Sequence, residues 1–271
     1  MFLRPKAAKA GLIILAVVLA ILLVGPFVVK FGPYQTTSAL NQAPTLQHPF
    51  GTDYRGRDVY SQIIYGAFET LHVSFLAALG AVLLGTVVGV FSGYFGKLSG
   101  ILTAANETIL AFPAVPFLIL LLLLFGANDV FVISVLILVL WAPISRALRP
   151  QVMSLKGLPY IDAAKMSGMS DVRIVFRTII PSIAPISLAY FILQSATAVI
   201  ITTGLQFLGI GNVNIVSWGS VLYWAQQYAF YNHDWWWILA PGIFISLLAI
   251  SFALIGFALE EVFNPRLRSG L

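Results

Sequence analysis

The chain has 271 residues, of which 59% are hydrophobic and only 9% charged, and its formal net charge is +5. Soluble domains average about a quarter charged, so this composition excludes an ordinary soluble enzyme and leaves room for one membrane domain and little else. With 0 Cys and 3 His, a disulfide framework and a thiolate metal site are excluded, and no metal centre is expected.

A bilayer core of about 30 Å takes roughly 20 apolar residues as helix. Six segments meet that need: Gly11–Val29, Leu71–Phe95, Ile101–Phe125, Val130–Ala147, Ile180–Leu208 and Ile238–Leu259. The expected fold class is therefore an all-α membrane protein with six transmembrane helices. The first span follows a basic stretch, as in a signal peptide. Its apolar run is longer than a signal core, however, and no clear small-residue cleavage site follows Gly25-Pro26, so an uncleaved anchor is expected. The stretch Phe31–Glu69 is polar and contains Pro, and it is too short for a domain. Residues 1–70 thus form an N-terminal unit, and residues 71–271 a five-helix core.

In span two, Gly85, Gly89 and Gly93 recur every four residues. They make a strip where another helix can approach closely, expected within the bundle rather than against a second subunit. His72, near the start of this span, is expected at the membrane interface. Pro113 and Pro116 interrupt span three and allow it to bend, at a gate or at a simple kink. Glu107 in the same span is either a polar packing partner or a gate element. Spans three and four are expected to form a hairpin around Ala127-Asn128-Asp129. The stretch Gly209–Trp237 has no basic residue and is rich in Trp, which prefers the interface; part of it is expected to lie on or dip into the outer surface.

With the N-terminus placed inside, 12 of the 15 Lys and Arg fall inside and 3 (Lys30, Arg55 and Arg57) outside. The positive-inside rule favours this orientation, with both termini cytoplasmic.

One polar island interrupts the spans. Arg146 to Arg177 carries six basic residues. Pro159 suits a first helical position, and Gly168 suits the left-handed position that closes a helix. Ser170 can cap a second helix, with Asp171 in its first turn facing the positive end of the dipole. That helix runs toward Pro181. Ala163 and Ala164 leave the first helix slim on one face, able to enter a partner's cleft. The plainer alternative is an interfacial loop whose basic residues meet anionic lipid.

The run Asp162-Ala163-Ala164, then Gly168, then nine residues, then Thr178-Ile179-Ile180-Pro181 resembles the E-A-A-xxx-G-(nine residues)-I-x-L-P signature of ATP-binding-cassette importer permeases. Asp162, Thr178 and Ile180 depart from it; Ala163, Ala164, Gly168 and Pro181 match. Further stretches resemble one subfamily, the C-type permease of dipeptide, oligopeptide and nickel importers. They are His48-Pro49-Phe50-Gly51-Thr52-Asp53 with Gly56-Arg57-Asp58, Glu107 through Ala111-Phe112-Pro113, Trp141 with Arg146 and Arg149, and Phe207-Leu208-Gly209-Ile210-Gly211 with Ser217-Trp218-Gly219. Pro241-Gly242 and the tail Asn264-Pro265-Arg266-Leu267-Arg268 complete the set. An Arg usual before the acidic residue of span three is Ala104 here, a Glu usual late in span five is Thr202, and a double proline gives way to Asn212-Val213-Asn214. These departures bear on substrate more than on coupling.

The resemblance implies a type I importer permease fold in which an elbow at residues 155–180 carries the coupling helix. Pro159, Tyr160, Asp162, Ala163, Ala164, Gly168, Asp171 and Arg173 would then meet an ATPase subunit. Candidate gate or pathway residues are Glu107, Pro113, Thr202 and Gln206. The chain has no phosphate-binding loop: Gly93-Tyr94-Phe95-Gly96-Lys97-Leu98 lacks the first Gly and the Ser/Thr that the device needs. No cofactor is therefore expected on this chain, which would be a non-catalytic subunit; ATP and Mg would be held by partner ATPases. Expected partners are a second homologous permease, two ATPase subunits, an extracytoplasmic substrate-binding protein and membrane lipid, without nucleic acid. The expected location is a bacterial or archaeal inner membrane. Peptide is the implied cargo, with nickel or oligosaccharide as alternatives and an ion-coupled secondary transporter as the rival class. No cluster of paired charges along the sequence marks a site for a peptide terminus.

Overall fold

A computed structural model of the chain describes residues 6–263. The expectations placed on Arg4, Arg266 and Arg268, and on the tail motif from Asn264 to Arg268, lie outside the described residues. The helices in order are α1 (Lys6–Val28), α2 (Val59–Tyr94), α3 (Gly96–Ala111), α4 (Ala114–Phe125), α5 (Asp129–Lys156), α6 (Pro159–Met166), α7 (Asp171–Ile174), α8 (Ile180–Phe207), α9 (Trp218–Asn232) and α10 (Trp235–Phe263). A π-helical turn, Val175–Ile179, joins α7 to α8 without a break. Pro181 accounts for this turn: it has no N–H to give and its ring crowds the carbonyl four residues back, and a widened turn relieves both. Extended pairing among the described residues is limited to two isolated antiparallel bridges, Thr36 with Arg57 and Thr52 with Asp58.

Five helices are long and apolar enough to cross a membrane, and the α3–α4 pair makes a sixth crossing if taken as one span. That pair differs from the straight span expected over Ile101–Phe125: its two helices meet at 88°. The cause is local. The residue before a proline is driven out of the helical region, and Phe112, preceding Pro113, sits at φ −84° and ψ 137°.

The glycine strip establishes the direction of the broken pair. A Cβ at Gly85 would lie 2.7 Å from the Trp141 carbonyl oxygen, and one at Gly93 would lie 2.9 Å from the Arg149 carbonyl oxygen. Position advances on both helices together, so α2 and α5 run parallel. The chain leaves α2 at one end of the bundle and enters α5 at the other; α3 and α4 together must carry it across. The strip thus packs inside the bundle, as expected. Next, α8 runs antiparallel to α2, with Thr86 Oγ1 donating to Ser187 Oγ at 3.2 Å. Antiparallel to α8 comes α10, with the Tyr190 hydroxyl donating to Glu260 Oε1 at 3.2 Å. Finally α1 lies antiparallel to α10, Gly11 resting on Leu254 and Ile255.

One end of the bundle therefore gathers Lys6, Lys9, Lys97 and the elbow, and the other gathers Lys30, Arg55, Arg57 and the loop after α8. The described Lys and Arg thus sort between the two ends in the same two groups as in the sequence.

α2 is longer than expected. It begins at Val59, not Leu71, and its 36 residues span about 54 Å, well beyond the hydrocarbon. Asp58 caps it, accepting from the Ser61 N–H at 2.7 Å. Its first three turns bury Val59, Ile63 and Ala67 against Val18, Trp218 and Val221. The junction between residues 70 and 71 therefore lies within one continuous helix. A second apolar core joins α2, α4, α5 and α8 to the buried side of the elbow through Ile161, Ile174, Val175 and Ile179.

Candidate coupling site

Pro159 occupies the first turn of α6. Its α6 neighbour Ile161 is fully buried, whereas Pro159, Tyr160, Asp162 and Ala163 are exposed and Ala164 is half-buried. The helix is thereby pinned by Ile161, with Ala164 packed beside it, and offers the rest of its surface. Gly168 closes it at φ +80°. The Gly168 N–H donates to the Lys165 carbonyl at 2.9 Å and the Met169 N–H to the Ala164 carbonyl at 3.1 Å, the paired bonds of a Schellman motif, which needs a left-handed residue at this place. Ser170 then caps α7, its Oγ accepting from the Arg173 N–H at 3.4 Å, with Asp171 in the first turn. The structure brings all eight sequence-predicted residues of the elbow onto this single bracket.

The bracket is polar in composition but exposes a row of large apolar side chains: Tyr160 at 50%, Met166 at 84%, Val172 at 59% and Phe176 at 59%. Lys165, Arg173 and Arg177 are exposed on the same segment, so it offers both apolar and basic groups, as protein interfaces do.

One residue that sequence reasoning missed holds the bracket in place. Tyr94, the last residue of α2, is 2% exposed. Its hydroxyl donates to Asp171 Oδ1 at 2.7 Å, and Lys156 Nζ donates to its carbonyl oxygen at 2.7 Å. The ammonium groups of Lys156 and Lys165 lie 5.3 and 5.5 Å from its ring centroid, within cation–π range. Lys165 Nζ also stands 4.0 Å from Asp171. The end of α2 thus holds the bracket at Lys165 and Asp171 and the end of α5 at Lys156.

The gate and pathway candidates lie elsewhere. Glu107 is exposed on α3 and lines a 240 Å³ cavity with Arg146 and Arg149. Pro113 is exposed at the α3–α4 break. Thr202 is buried, its Oγ1 donating to the Ala198 carbonyl at 2.6 Å. Gln206 is buried and accepts from Ser217 Oγ at 2.8 Å, joining the end of α8 to the capping box that starts α9. His72 is exposed and stacks on Phe68, with ring centroids 5.9 Å apart.

At the opposite end, the stretch His48–Asp58 forms a compact polar knot. Asp53 is fully buried. It accepts from the Arg55 and Arg57 N–H groups at 2.8 and 2.9 Å, from Arg57 Nε at 2.6 Å and from Gln62 Nε2 at 3.1 Å. His48 Nδ1 meets Asp58 Oδ1 at 2.9 Å. Tyr54 leaves this knot to stack on Tyr228, with centroids 3.9 Å apart, and burial pushes its phenol above the usual range. The long loop after α8 closes by a second Schellman motif at Gly209, with Ile210 N–H donating to the Leu205 carbonyl at 2.9 Å and φ +81° at the glycine. It then enters α9, whose Trp218 is fully buried and donates its indole N–H to the Ile63 carbonyl at 2.9 Å. Within the stretch Gly209–Trp237, residues 218–232 are therefore a helix packed on the start of α2.

Comparison with known proteins adds a second line. The family described as "Binding-protein-dependent transport system inner membrane component" matches residues 61–269. A putative peptide transport system permease protein of Brucella suis biovar 1 is 32% identical over 268 residues, covering 98% of this chain and 90% of that protein. A dipeptide transport system permease protein of Alkalihalophilus pseudofirmus is 33% identical, covering 98% of this chain and 88% of its own length. An oligopeptide transport system permease protein of Haemophilus influenzae is 32% identical, covering 98% and 86%.

Proposed function

Because this chain belongs to the inner membrane components of binding-protein-dependent transport systems, we propose that it is one permease subunit of an ATP-driven peptide importer, worked by an ATPase subunit through residues 159–177. The single observation that carries the coupling role is the bracket itself: a helix held by Ile161 and closed by Gly168, with exposed Tyr160, Met166, Val172 and Phe176 outward and Tyr94 linking it to α2. Peptide as cargo is supported by the peptide, dipeptide and oligopeptide permeases to which the chain is similar over nearly its full length.

In this reading the bracket lies in the cytoplasm, where the excess of Lys and Arg belongs. Two ATPase subunits draw together on ATP and Mg, and the motion enters through α6 and α7. From Asp171 the chain runs into α8 without a break, and Tyr94 hands the same displacement to α2, so two membrane helices move as one lever. A second homologous permease completes the pathway. The knot at His48–Asp58 and the α9 region form the outer face on which a substrate-binding protein delivers cargo. This chain itself would be non-catalytic, with both termini cytoplasmic.

The test is co-purification of the ATPase subunits with a variant carrying Met166→Glu and Val172→Glu. Both side chains are exposed, so the bundle should fold normally while ATPase capture falls more than tenfold. Unchanged capture and unchanged nucleotide-driven dipeptide uptake would remove the coupling role from this surface.

A further inference from the structure

The cavity between α2, α3 and α5 has a feature that the coupling role does not use. Its 240 Å³ volume is walled by Ser92, Thr103, Asn106, Glu107, Arg146 and Arg149 among others. Residues separated by some forty positions of sequence meet here: the Asn106 Nδ2 group donates to the Ala142 carbonyl at 2.8 Å, and Arg149 Nη2 donates to Ser99 Oγ at 3.1 Å. These two bonds tie α3 to α5 beside the cavity.

Three observations point to a polar occupant. First, the wall contains one carboxylate and two guanidinium groups, yet no ion pair joins Glu107 to either arginine. Second, Thr103 Oγ1 and Arg149 Nε are buried and have no hydrogen-bond partner, an arrangement that is costly unless something fills it. Third, Glu107 and Arg146 are both exposed, although Glu107 lies eleven residues into α3 and Arg146 ten before the end of α5, each about 15 Å inside the bundle end at 1.5 Å per residue. Exposed charge within membrane-spanning helices is costly against acyl chains and is characteristic of positions covered by water or by another subunit.

We propose that this cavity is a subsite for the free carboxylate of the cargo, received by Arg146 and Arg149. It rests on the reading of this chain as a peptide permease. The volume is below the roughly 300–1,000 Å³ of pockets that enclose a whole drug-sized ligand, so the cavity takes one terminus and leaves the side chains of the peptide in the open pathway. Guanidinium groups suit this task because their planar N–H fork matches a carboxylate. Glu107 on the same wall opposes the carboxylate and keeps the stay short, as a conduit requires.

The test uses the complete complex in proteoliposomes: this chain, its permease partner, both ATPases and the binding protein. Initial ATP-driven uptake is measured for alanyl-alanine and for alanyl-alanine amide, and the ratio of the two is taken. The binding protein is the same throughout, so its own preference cancels between variants. Arg146→Gln is expected to lower the acid-to-amide ratio about tenfold, the weight of one charge-assisted contact. Glu107→Gln is expected to raise it, and Arg146→Lys, which keeps the charge but not the planar fork, to fall between the natural complex and Arg146→Gln. An unchanged ratio in an assembled Arg146→Gln complex overturns the subsite. Should that variant fail to assemble, Glu107→Gln decides, and an unchanged or lowered ratio overturns it. If the unaltered complex carries neither dipeptide, the peptide reading fails and takes the subsite with it; if it carries them, only the subsite is at stake.

Discussion

The Tyr94 hydroxyl reaches Asp171 Oδ1 at 2.7 Å across 77 positions of sequence, and through it the end of one long membrane helix is fastened to the start of another. Tyr94→Phe keeps the packing and removes only this bond. Asp171 is more than half exposed, so the loss is that of an ordinary hydrogen bond, about 1 kcal/mol, and the thermal midpoint should barely move. The transport stoichiometry should move instead: more ATP hydrolysed per dipeptide carried, with ATPase capture unchanged. An unchanged stoichiometry would show that α2 does not share the load.

Gly168 separates backbone strain from steric crowding. A Cβ there meets nothing within 4 Å, yet φ is +80°. Gly168→Val should therefore cost only the left-handed penalty, about 1–2 kcal/mol, which is released by unwinding the Schellman closure. The expected result is severalfold weaker ATPase capture with an intact bundle. Gly168→Asn, which tolerates the left-handed region, should behave much closer to the natural chain. Equal behaviour of the two variants would mean that the closure is not what presents α6.

These local features were legible because their causes are local. Pro159, Gly168 and Ser170 act within one or two turns of themselves, and the four-residue spacing of Gly85, Gly89 and Gly93 already marks one helix face. Pro113 announced a break in span three, but its size, 88°, depends on the dihedral angles that Phe112 adopts, and residue type alone does not give these. The early start of α2 was hidden because Ser61, Gln62, Glu69 and Thr70 dilute its hydropathy; only their partners, Asp58 for Ser61, Asp53 for Gln62 and the distant Trp218 N–H for Thr70, show why Ser61, Gln62 and Thr70 can be helical and buried. Tyr94 and the Glu107–Arg146–Arg149 cavity were invisible for the same reason: each is defined by a meeting of distant segments.

The glycine strip can be tested with a matched pair. Gly85→Ala would place a Cβ 2.7 Å from the Trp141 carbonyl oxygen, whereas one at Gly100 meets nothing within 4 Å. Both are helical positions, where Ala is intrinsically favoured over Gly by about 1 kcal/mol. Gly100→Ala should accordingly be neutral or slightly stabilising in thermal unfolding. Gly85→Ala must push α2 away from α5 and should destabilise by about 1–3 kcal/mol. If both variants unfold together, the close approach of these helices is wrong.

The outer knot makes a sharper demand, because Asp53 and Arg57 are buried together at 0% and 8% exposure. Asp53 holds four donors: two backbone N–H groups that shape the turn, the Arg57 guanidinium and the Gln62 amide. Asp53→Ala strands a buried guanidinium and opens the turn at Gly56, and removing one partner of such a pair costs about 3–5 kcal/mol. Asp53→Asn keeps the shape and some of the acceptors but not the charge, so it should fall between. Arg57→Ala combined with Asp53→Ala removes both charges and should recover part of the loss. The measurement is thermal unfolding of the purified chain, read alongside docking of the binding protein. Because this knot also caps α2 through Asp58 and supports Tyr54 under Tyr228, the single Ala variant should lose docking in step with stability, while the double variant regains stability first. A double variant no better than Asp53→Ala would mean that the turn geometry, and not the buried charge, carries the energy.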